Sequence, residues 1–94
     1  MKRIPKRFKL LNHTIDVVSI PASKWKWGES WAYWDAGETR ILICRGKATV
    51  AFHSFCHEVA HCLFEMAGRQ DLSRNEGLVD VMGGLLAQFL ATAE

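Results

Sequence analysis

The chain has 94 residues, enough for one small domain with a modest core, and 49% of them are hydrophobic, which excludes a disordered chain. No apolar run approaches the roughly 20 residues of a membrane span, and no apolar segment of a signal peptide follows the basic start. The net charge of +2 is unevenly spread. Residues 1–9 hold five of the twelve cations and no acid, whereas the remainder is mildly acidic.

The basic segment 1–7 is interpreted as a solvated arm, with contact to nucleic acid or an acidic partner as the alternative. Three cysteines cannot pair completely, so we expect buried free thiols in a reducing cytoplasm. The cations of the first nine residues are Lys2, Arg3, Lys6, Arg7 and Lys9.

Residues 8–44 are predicted to form a small, twisted, mostly antiparallel sheet of three to four strands. The loop at 23–30 carries Trp25 and Trp27 beside two lysines. We interpret this aromatic patch as packed or covered by a protein partner, with stacking on a ligand or a nucleobase as the alternative. Runs of β-branched and aromatic residues favour strands at 8–11, 14–20, 31–35 and 39–44, with a hairpin turn at 36–38.

From about residue 49 the apolar spacing becomes that of a helix, which predicts one helix at 49–67 and another at 74–91. The second helix has one face of large apolar residues and one of small residues. Gly83 and Gly84 on the small face cost about 1–2 kcal/mol relative to alanine, so we expect a neighbouring backbone to approach there. The apolar stripe of the first helix consists of Phe52, Phe55, Val59, Leu63 and Met66.

The most informative motif is H-E-x-x-H at His57, Glu58 and His61, inside the first helix. Side chains four residues apart lie on one helix face, one turn apart, so both imidazoles can reach a single metal ion. Glu58 lies beside them, close enough to hydrogen-bond a metal-bound water without being a ligand. Two nitrogen ligands, an open position for water and a carboxylate base are what a zinc hydrolase requires. Cys62 points about 100° away from His61 and is not expected to be a ligand.

A catalytic zinc site needs a third protein ligand. Glu76 is best placed, although it could instead bond back to Ser73 in a capping box. Asp80, one turn along the same face, is either the alternative ligand or the group that orients a ligating histidine. His53, one turn before His57, forms a competing pair with it. Two further acids are candidates for the third ligand, Asp71 and Glu65. Glu65 is interpreted as solvated or as lying outside the ligand shell.

With these motifs the chain resembles the small zincin metallopeptidases of the gluzincin type, especially the ImmA/IrrE-like and phage-encoded minimal peptidase domains. The resemblance covers about residues 8–89. The family's glutamate helix often reads E-x-x-A-N-x-F-A-A-x-L-L, and residues 76–86 match its glutamate and its pair of small residues. Val79 and Asp80 depart from the usual alanine and asparagine, and Ala60 replaces the usual glycine before the second histidine.

The resemblance implies an α+β, zincin-like fold with two helices packed on the sheet, and a peptidase acting on a peptide or protein. One zinc ion per chain would be held by His57, His61 and Glu76, with Glu58 as the catalytic base; nickel or cobalt could occupy the same site. A second donor to the oxyanion would be Tyr33 or His53. The strand at 39–44 would border the cleft and pair with extended substrate, or else be an ordinary core strand. The tentative substrate contacts on it are Thr39, Arg40, Ile41 and Leu42.

Two alternatives to an enzyme follow from the same residues. A catalytically weak or inactive module would use zinc for stability and act as a regulatory adaptor of the antirepressor kind. Nucleic-acid binding through the basic arm and the tryptophans is the less favoured alternative, and it predicts an affinity that falls steeply with salt.

Overall fold

The computed structural model describes residues 4–46 and 48–94 as a small α+β domain with a four-stranded mixed sheet and three helices. Among these residues no helix is long and apolar enough to cross a membrane. The elements in chain order are β1 (Arg7–Leu10), β2 (His13–Ile20), a short 3-10 turn (Ala22–Lys24), β3 (Ala32–Asp35), β4 (Arg40–Cys44), α1 (Ala48–Met66), α2 (Gln70–Ser73) and α3 (Glu76–Thr92).

The four strands lie in the order β1-β2-β4-β3. The pairs β1–β2 and β3–β4 are antiparallel hairpins, as expected, but β2 and β4 are parallel, so the sheet is mixed. The first hairpin turns at Leu11 and Asn12, whose φ angles of 49° and 68° match a two-residue turn with both central residues left-handed. The parallel pair arises because the second hairpin folds back and inserts β4 beside β2.

This order corrects the expectation for the substrate strand. β4 is paired along both edges, by β2 and by β3, and Ile41 and Leu42 are 0% and 1% exposed. A strand without a free edge cannot add an extended peptide. The prediction of substrate contacts on Thr39, Arg40, Ile41 and Leu42 is therefore wrong, and β3, next to β4, is the edge strand at this end of the sheet.

The core lies between one face of the sheet and α1. Ile15 of β2 and Trp34 of β3 pack there against Phe52 and Phe55 of α1, which are 6% and 4% exposed. The predicted stripe of α1 holds except at Leu63, which is 37% exposed. Helix α1 is also buried on the side that faces α3, which is why its interior includes small side chains as well as phenylalanines: Cys56, Ala60 and Cys62.

The cysteines are free and buried, as the sequence predicted. Burial raises the pKa of both the Cys56 and Cys62 thiols to about 11. Such thiols stay protonated at neutral pH and are poor nucleophiles and poor metal ligands.

The segment expected to be a solvated arm is partly built into the sheet. The amide of Val17 donates to the carbonyl of Lys6 at 2.9 Å, and Arg7 begins β1. The arm prediction is therefore wrong for residues 6 and 7, while residues 1–3 lie outside the described chain. The rings of Trp25 and Trp27 pack at a tilt of 56° with centroids 4.8 Å apart, and Trp27 stacks on Tyr33.

Candidate metal centre

Helix α1 presents both motif histidines to one cleft, and α3 brings Glu76 to them from the opposite side. The nearest Glu76 oxygens lie 3.3 Å from His57 Nε2 and 3.1 Å from His61 Nε2. Potential ligand atoms of the three residues all lie within 4.8 Å of one another. These three side chains form a group that could hold a metal ion.

Glu76 reaches this position because α3 packs unusually close to α1. A Cβ on Gly83 would lie 2.7 Å from the Cα of His57, a distance that real Cβ atoms essentially never show. The close approach expected at the glycines is thus real for Gly83. At Gly84 the nearest atom to a Cβ would belong to the His53 ring, at an ordinary 3.8 Å.

The capping of α3 differs from the sequence prediction. The N-cap is Asn75, whose side chain accepts a hydrogen bond from the Leu78 amide at 3.1 Å. Helix α3 begins at Glu76, and Ser73 belongs to the separate helix α2. The predicted capping box between Ser73 and Glu76 is therefore not formed. The Glu76 side chain, which is 69% exposed, points to the histidines instead.

The donor set fits a tetrahedrally coordinated metal ion. It contains two imidazole nitrogens and one carboxylate, the ligand types that zinc accepts in catalytic sites. With metal–ligand bonds of about 2.0–2.1 Å, neighbouring donors of a tetrahedral site are about 3.3–3.4 Å apart. The two short distances from Glu76 to the histidine Nε2 atoms involve different carboxylate oxygens, Oε2 at 3.3 Å from His57 and Oε1 at 3.1 Å from His61. With one donor atom taken from each residue, all three donors lie within 4.8 Å of one another, so the group is compact enough to share one ion.

Glu58 is held beside this group by the backbone of the edge strand. The Trp34 amide donates to Glu58 Oε1 at 2.8 Å, and Glu58 Oε2 lies 4.0 Å from His57 Nε2. The side chain is only 12% exposed. Burial raises the pKa of Glu58 to about 7, and the nearby carboxylates of Glu76 and Glu65 raise it further, whereas His57 and the Trp34 amide lower it. A carboxylate with this pKa is suited to exchange protons near neutral pH.

A second hydrogen-bonded set lies behind His61, and sequence reasoning missed most of it. His61 Nδ1 is 2.9 Å from the hydroxyl of Ser73, which donates to Glu65 Oε2 at 2.7 Å. The indole Nε1 of Trp34 donates to Glu65 Oε1 at 3.1 Å. Ser73 is the buried polar residue of the described chain, at 6% exposure. No local pattern marks Ser73 or Trp34, because their partners are 8 to 31 residues away.

The remaining candidates lie outside the three-residue group. Asp80 Oδ1 is 3.5 Å from the rear nitrogen of His57, Nδ1, where it can favour an imidazole that presents Nε2 to the cleft. His53 lines an adjoining pocket of about 210 Å³ together with Asp80. Asp71 is paired with Arg69 at 2.9 Å on the surface, which lowers the pKa of Asp71 to about 2.

The cleft in front of the histidines has a volume of about 580 Å³. One wall is β3 with Ser30 before it, and the other is formed by α1 and the chain from Ser73 to Glu76. Tyr33 borders the cleft, but its ring stacks on Trp27, with centroids 5.9 Å apart, rather than on the histidines. Arg74, which the sequence did not single out, also lines it.

Comparison with family models, with curated proteins and with solved structures finds no match to this chain. The resemblance to zincin peptidases therefore depends on the motif and on the geometry described above.

Proposed function

We propose that the protein is a zinc-dependent peptidase of the zincin type, with His57, His61 and Glu76 as ligands and Glu58 as general base. One observation carries the proposal. A three-ligand group and a buried carboxylate of raised pKa meet in a single cleft, although the ligands come from two helices and the carboxylate is held by a strand.

The donor set favours zinc over the hard cations, because imidazole nitrogens are poor ligands for calcium and magnesium. When bound, zinc would supply Lewis acidity, polarising a substrate carbonyl and lowering the pKa of a coordinated water. Three protein ligands leave a position open towards the cleft, as a catalytic site requires.

Glu58 would accept the proton of the attacking water and pass it to the leaving amine. The hydrogen bond from the Trp34 amide occupies Oε1, so Oε2 remains available on the side of His57. A carboxylate fixed in this way needs no reorganisation before proton transfer.

The substrate would lie along β3. The Trp31 carbonyl accepts from Cys44 on β4, so the backbone groups of residues 31, 33 and 35 face β4 and those of Ala32 and Trp34 face the cleft. Because the Trp34 amide is used by Glu58, an extended peptide would pair with the amide and carbonyl of Ala32 and the carbonyl of Trp34, and it would pass in front of the ligands. The edge strand would therefore serve both the substrate, by pairing, and the base, by the Trp34 amide.

The test measures zinc content and peptide hydrolysis for wild type, Glu58→Gln and Glu76→Ala. We expect about one zinc per chain in wild type and in Glu58→Gln, with hydrolysis lost by several orders of magnitude in the latter because it lacks the base. Glu76→Ala should lose most of its zinc. Asp80→Ala, on the same helix, should weaken zinc binding less than Glu76→Ala, because the Asp80 carboxylate lies at the rear nitrogen of His57 and is not a proposed ligand.

Each contrary result has a separate meaning. Zinc in wild type without hydrolysis of any peptide in a broad library would favour the metal-stabilised binding module. Zinc retained in Glu76→Ala but lost in Asp80→Ala would move the third ligand. A wild-type chain that does not bind zinc would exclude the peptidase.

A further inference from the structure

We propose that Trp34, Glu65 and Ser73 form a directional hydrogen-bond chain that favours a hydrogen on His61 Nδ1, in which the Glu65 carboxylate, which can only accept, sets the direction and the Trp34 indole N–H anchors that carboxylate. The inference rests on the proposed function, since it concerns which ring nitrogen of a proposed metal ligand carries the hydrogen. It assigns positioning roles to three residues outside the ligand set.

The direction follows from which groups can only donate or only accept. The indole of Trp34 has one hydrogen and no lone pair to offer, and a carboxylate only accepts. Glu65 thus receives from Trp34 at one oxygen and must receive from Ser73 at the other, at 3.1 and 2.7 Å. The single hydroxyl hydrogen of Ser73 is used in that bond.

The last step concerns His61. Because the Ser73 hydrogen points to Glu65, its oxygen can only accept, so the contact at 2.9 Å requires a hydrogen on His61 Nδ1. The neutral ring then has its lone pair on Nε2. A lone pair on Nε2 is what a metal ion requires. Nε2 also lies 3.1 Å from Glu76 Oε1, and without metal that carboxylate, which can only accept, favours a hydrogen on Nε2 instead. The effect of the Ser73 contact is therefore separated from that of Glu76 by working in a Glu76→Ala background.

Burial makes these hydrogen bonds difficult to replace by bonds to water. Ser73 is 6% exposed and Trp34 is 8% exposed, so water cannot easily replace a missing partner. The same Trp34 holds Glu58 through its backbone amide. One residue of the edge strand therefore orients the base with its main chain and a ligand with its side chain.

Reversing the direction of these hydrogen bonds is the sharpest test, and Glu65→Gln reverses it with little change in the shape of the side chain. The amide nitrogen cannot face the Trp34 N–H, because two donors would meet, so the amide oxygen stays there and the nitrogen faces Ser73. Ser73 then accepts from the amide and turns its own hydrogen to His61 Nδ1. His61 must now carry its hydrogen on Nε2, which blocks the metal position.

A second substitution should undo the first. In Trp34→Phe/Glu65→Gln the indole N–H is gone, so the amide can turn its oxygen to Ser73 and restore the original direction. The loss of the Glu65 charge is common to both variants, so a difference between them isolates direction from charge. Trp34→Phe alone tests folding, and Asp71→Asn, an exposed acid of α2 paired with Arg69, is the control for removing a carboxylate from this region.

The measurement is the imidazole tautomer of His61 at about pH 8.5 in metal-free protein that carries Glu76→Ala in every variant, from long-range proton–nitrogen NMR correlations. Zinc dissociation constants are measured by competition with a chelator in the same variants with Glu76 retained. In the Glu76→Ala background we expect the Nδ1–H form with no further substitution, with Trp34→Phe and with Asp71→Asn, and the Nε2–H form with Glu65→Gln. With Glu76 retained, Glu65→Gln should bind zinc about 10- to 100-fold more weakly. The double variant should return to the Nδ1–H form and recover part of the affinity.

The Nδ1–H form retained in Glu65→Gln would overturn the inference, as would a double variant that keeps the Nε2–H form. If a variant fails to fold, Ser73→Ala provides the test, because deleting the hydroxyl should leave His61 as a mixture of both tautomers, and a single Nδ1–H form there would also overturn it. The tautomers are read without metal. A chain that behaves as expected but binds no zinc would thus refute the proposed function alone, and an active zinc enzyme with an unchanged tautomer would refute this inference alone.

Discussion

The two faces of α3 reverse the usual relation between hydrophobic size and burial. The face packed on α1 carries small or medium side chains and a glycine, whereas the opposite face carries large apolar side chains that are more than half exposed. The buried residues are Val79, Gly83 and Ala87, and the exposed ones are Val81, Leu85 and Phe89, at 59%, 56% and 64%.

The difference teaches that α3 is placed by its close approach to α1 at Gly83 and not by burial of the greatest apolar area. Large side chains between two helices keep their axes about 8–10 Å apart. Gly83 removes that spacer opposite His57, and Glu76, two turns earlier on the same helix, is carried to the histidines. Among the described residues, this packing does not bury the large apolar side chains on the exposed face of α3.

The largest effect should come from Gly83→Ala, which attacks the close approach itself. The added Cβ would meet backbone atoms of His57 at 2.7 and 3.0 Å, which cannot yield, so α3 must move. We expect zinc affinity to fall by more than about 100-fold and the free energy of unfolding to fall by about 3 kcal/mol. Isothermal titration and urea denaturation measure the two quantities.

Gly84→Ala is the matched control for that substitution. Its Cβ would make ordinary contact with the His53 ring, and it removes the same helix penalty of glycine. We expect no loss of zinc affinity and a gain of up to about 1 kcal/mol in stability. Similar losses in both variants would show that the approach at Gly83 is not what places Glu76.

The next-largest effect is a dependence of the unfolding free energy on pH, which we expect from the side of α3 that faces the cleft and not from its exposed apolar face. The exposed face of α3 has no titratable group, whereas Glu58, across the cleft from Glu76, has a pKa raised from 4.5 to about 7 by burial. Between these values the folded chain keeps a proton that the unfolded chain releases. The metal-free protein should therefore lose stability as pH rises from about 5 to 8, by up to about 3 kcal/mol.

Glu58→Gln should remove most of this pH dependence in metal-free protein, as measured by urea denaturation at both pH values. Glu38→Gln, on an exposed turn, is the control and should leave it unchanged. An equal slope in wild type and Glu58→Gln would mean that another group carries it. Bound metal should reduce the effect, because a nearby cation favours the ionised carboxylate.

The smallest effect compares two valines of α3 directly. Val79 is fully buried against α1 and Val81 is 59% exposed, so the same truncation samples the two faces. Val79→Ala should cost about 2 kcal/mol of unfolding free energy, whereas Val81→Ala should stay within about 0.5 kcal/mol. Equal losses of unfolding free energy would indicate that the outer face of α3 is covered in solution, and the contrast between the two faces would then be wrong.

Several features of the fold were predicted from local pattern and confirmed. The four strands and the two long helices lie within one or two residues of the predicted ranges, because β-branched runs and helical periodicity act over short stretches of chain. The three-ligand group follows from two local facts, the four-residue spacing of His57 and His61 and the glutamate at the start of α3.

The parts that were missed depend on contacts between distant residues. Helix α2, four residues long, has too few positions to show a period, so the sequence pattern predicts a helix cap at Ser73 in place of this helix. The order of the strands was not visible either, since pairing of β2 with β4 is a choice among strands of similar composition.

The sequence by itself determined the four strands, the two long helices, the buried thiols and the motif, because each depends on residue type and spacing within about one element. Only the tertiary structure decided which face of α3 is buried, which strand forms the edge and which partners Trp34 has. Its two hydrogen bonds to glutamates span 24 and 31 residues, and both exist only because β3 lies at the sheet edge beside α1. Hydrogen-bond direction and close packing are properties of atoms brought together by folding, and no repeat along the chain encodes them.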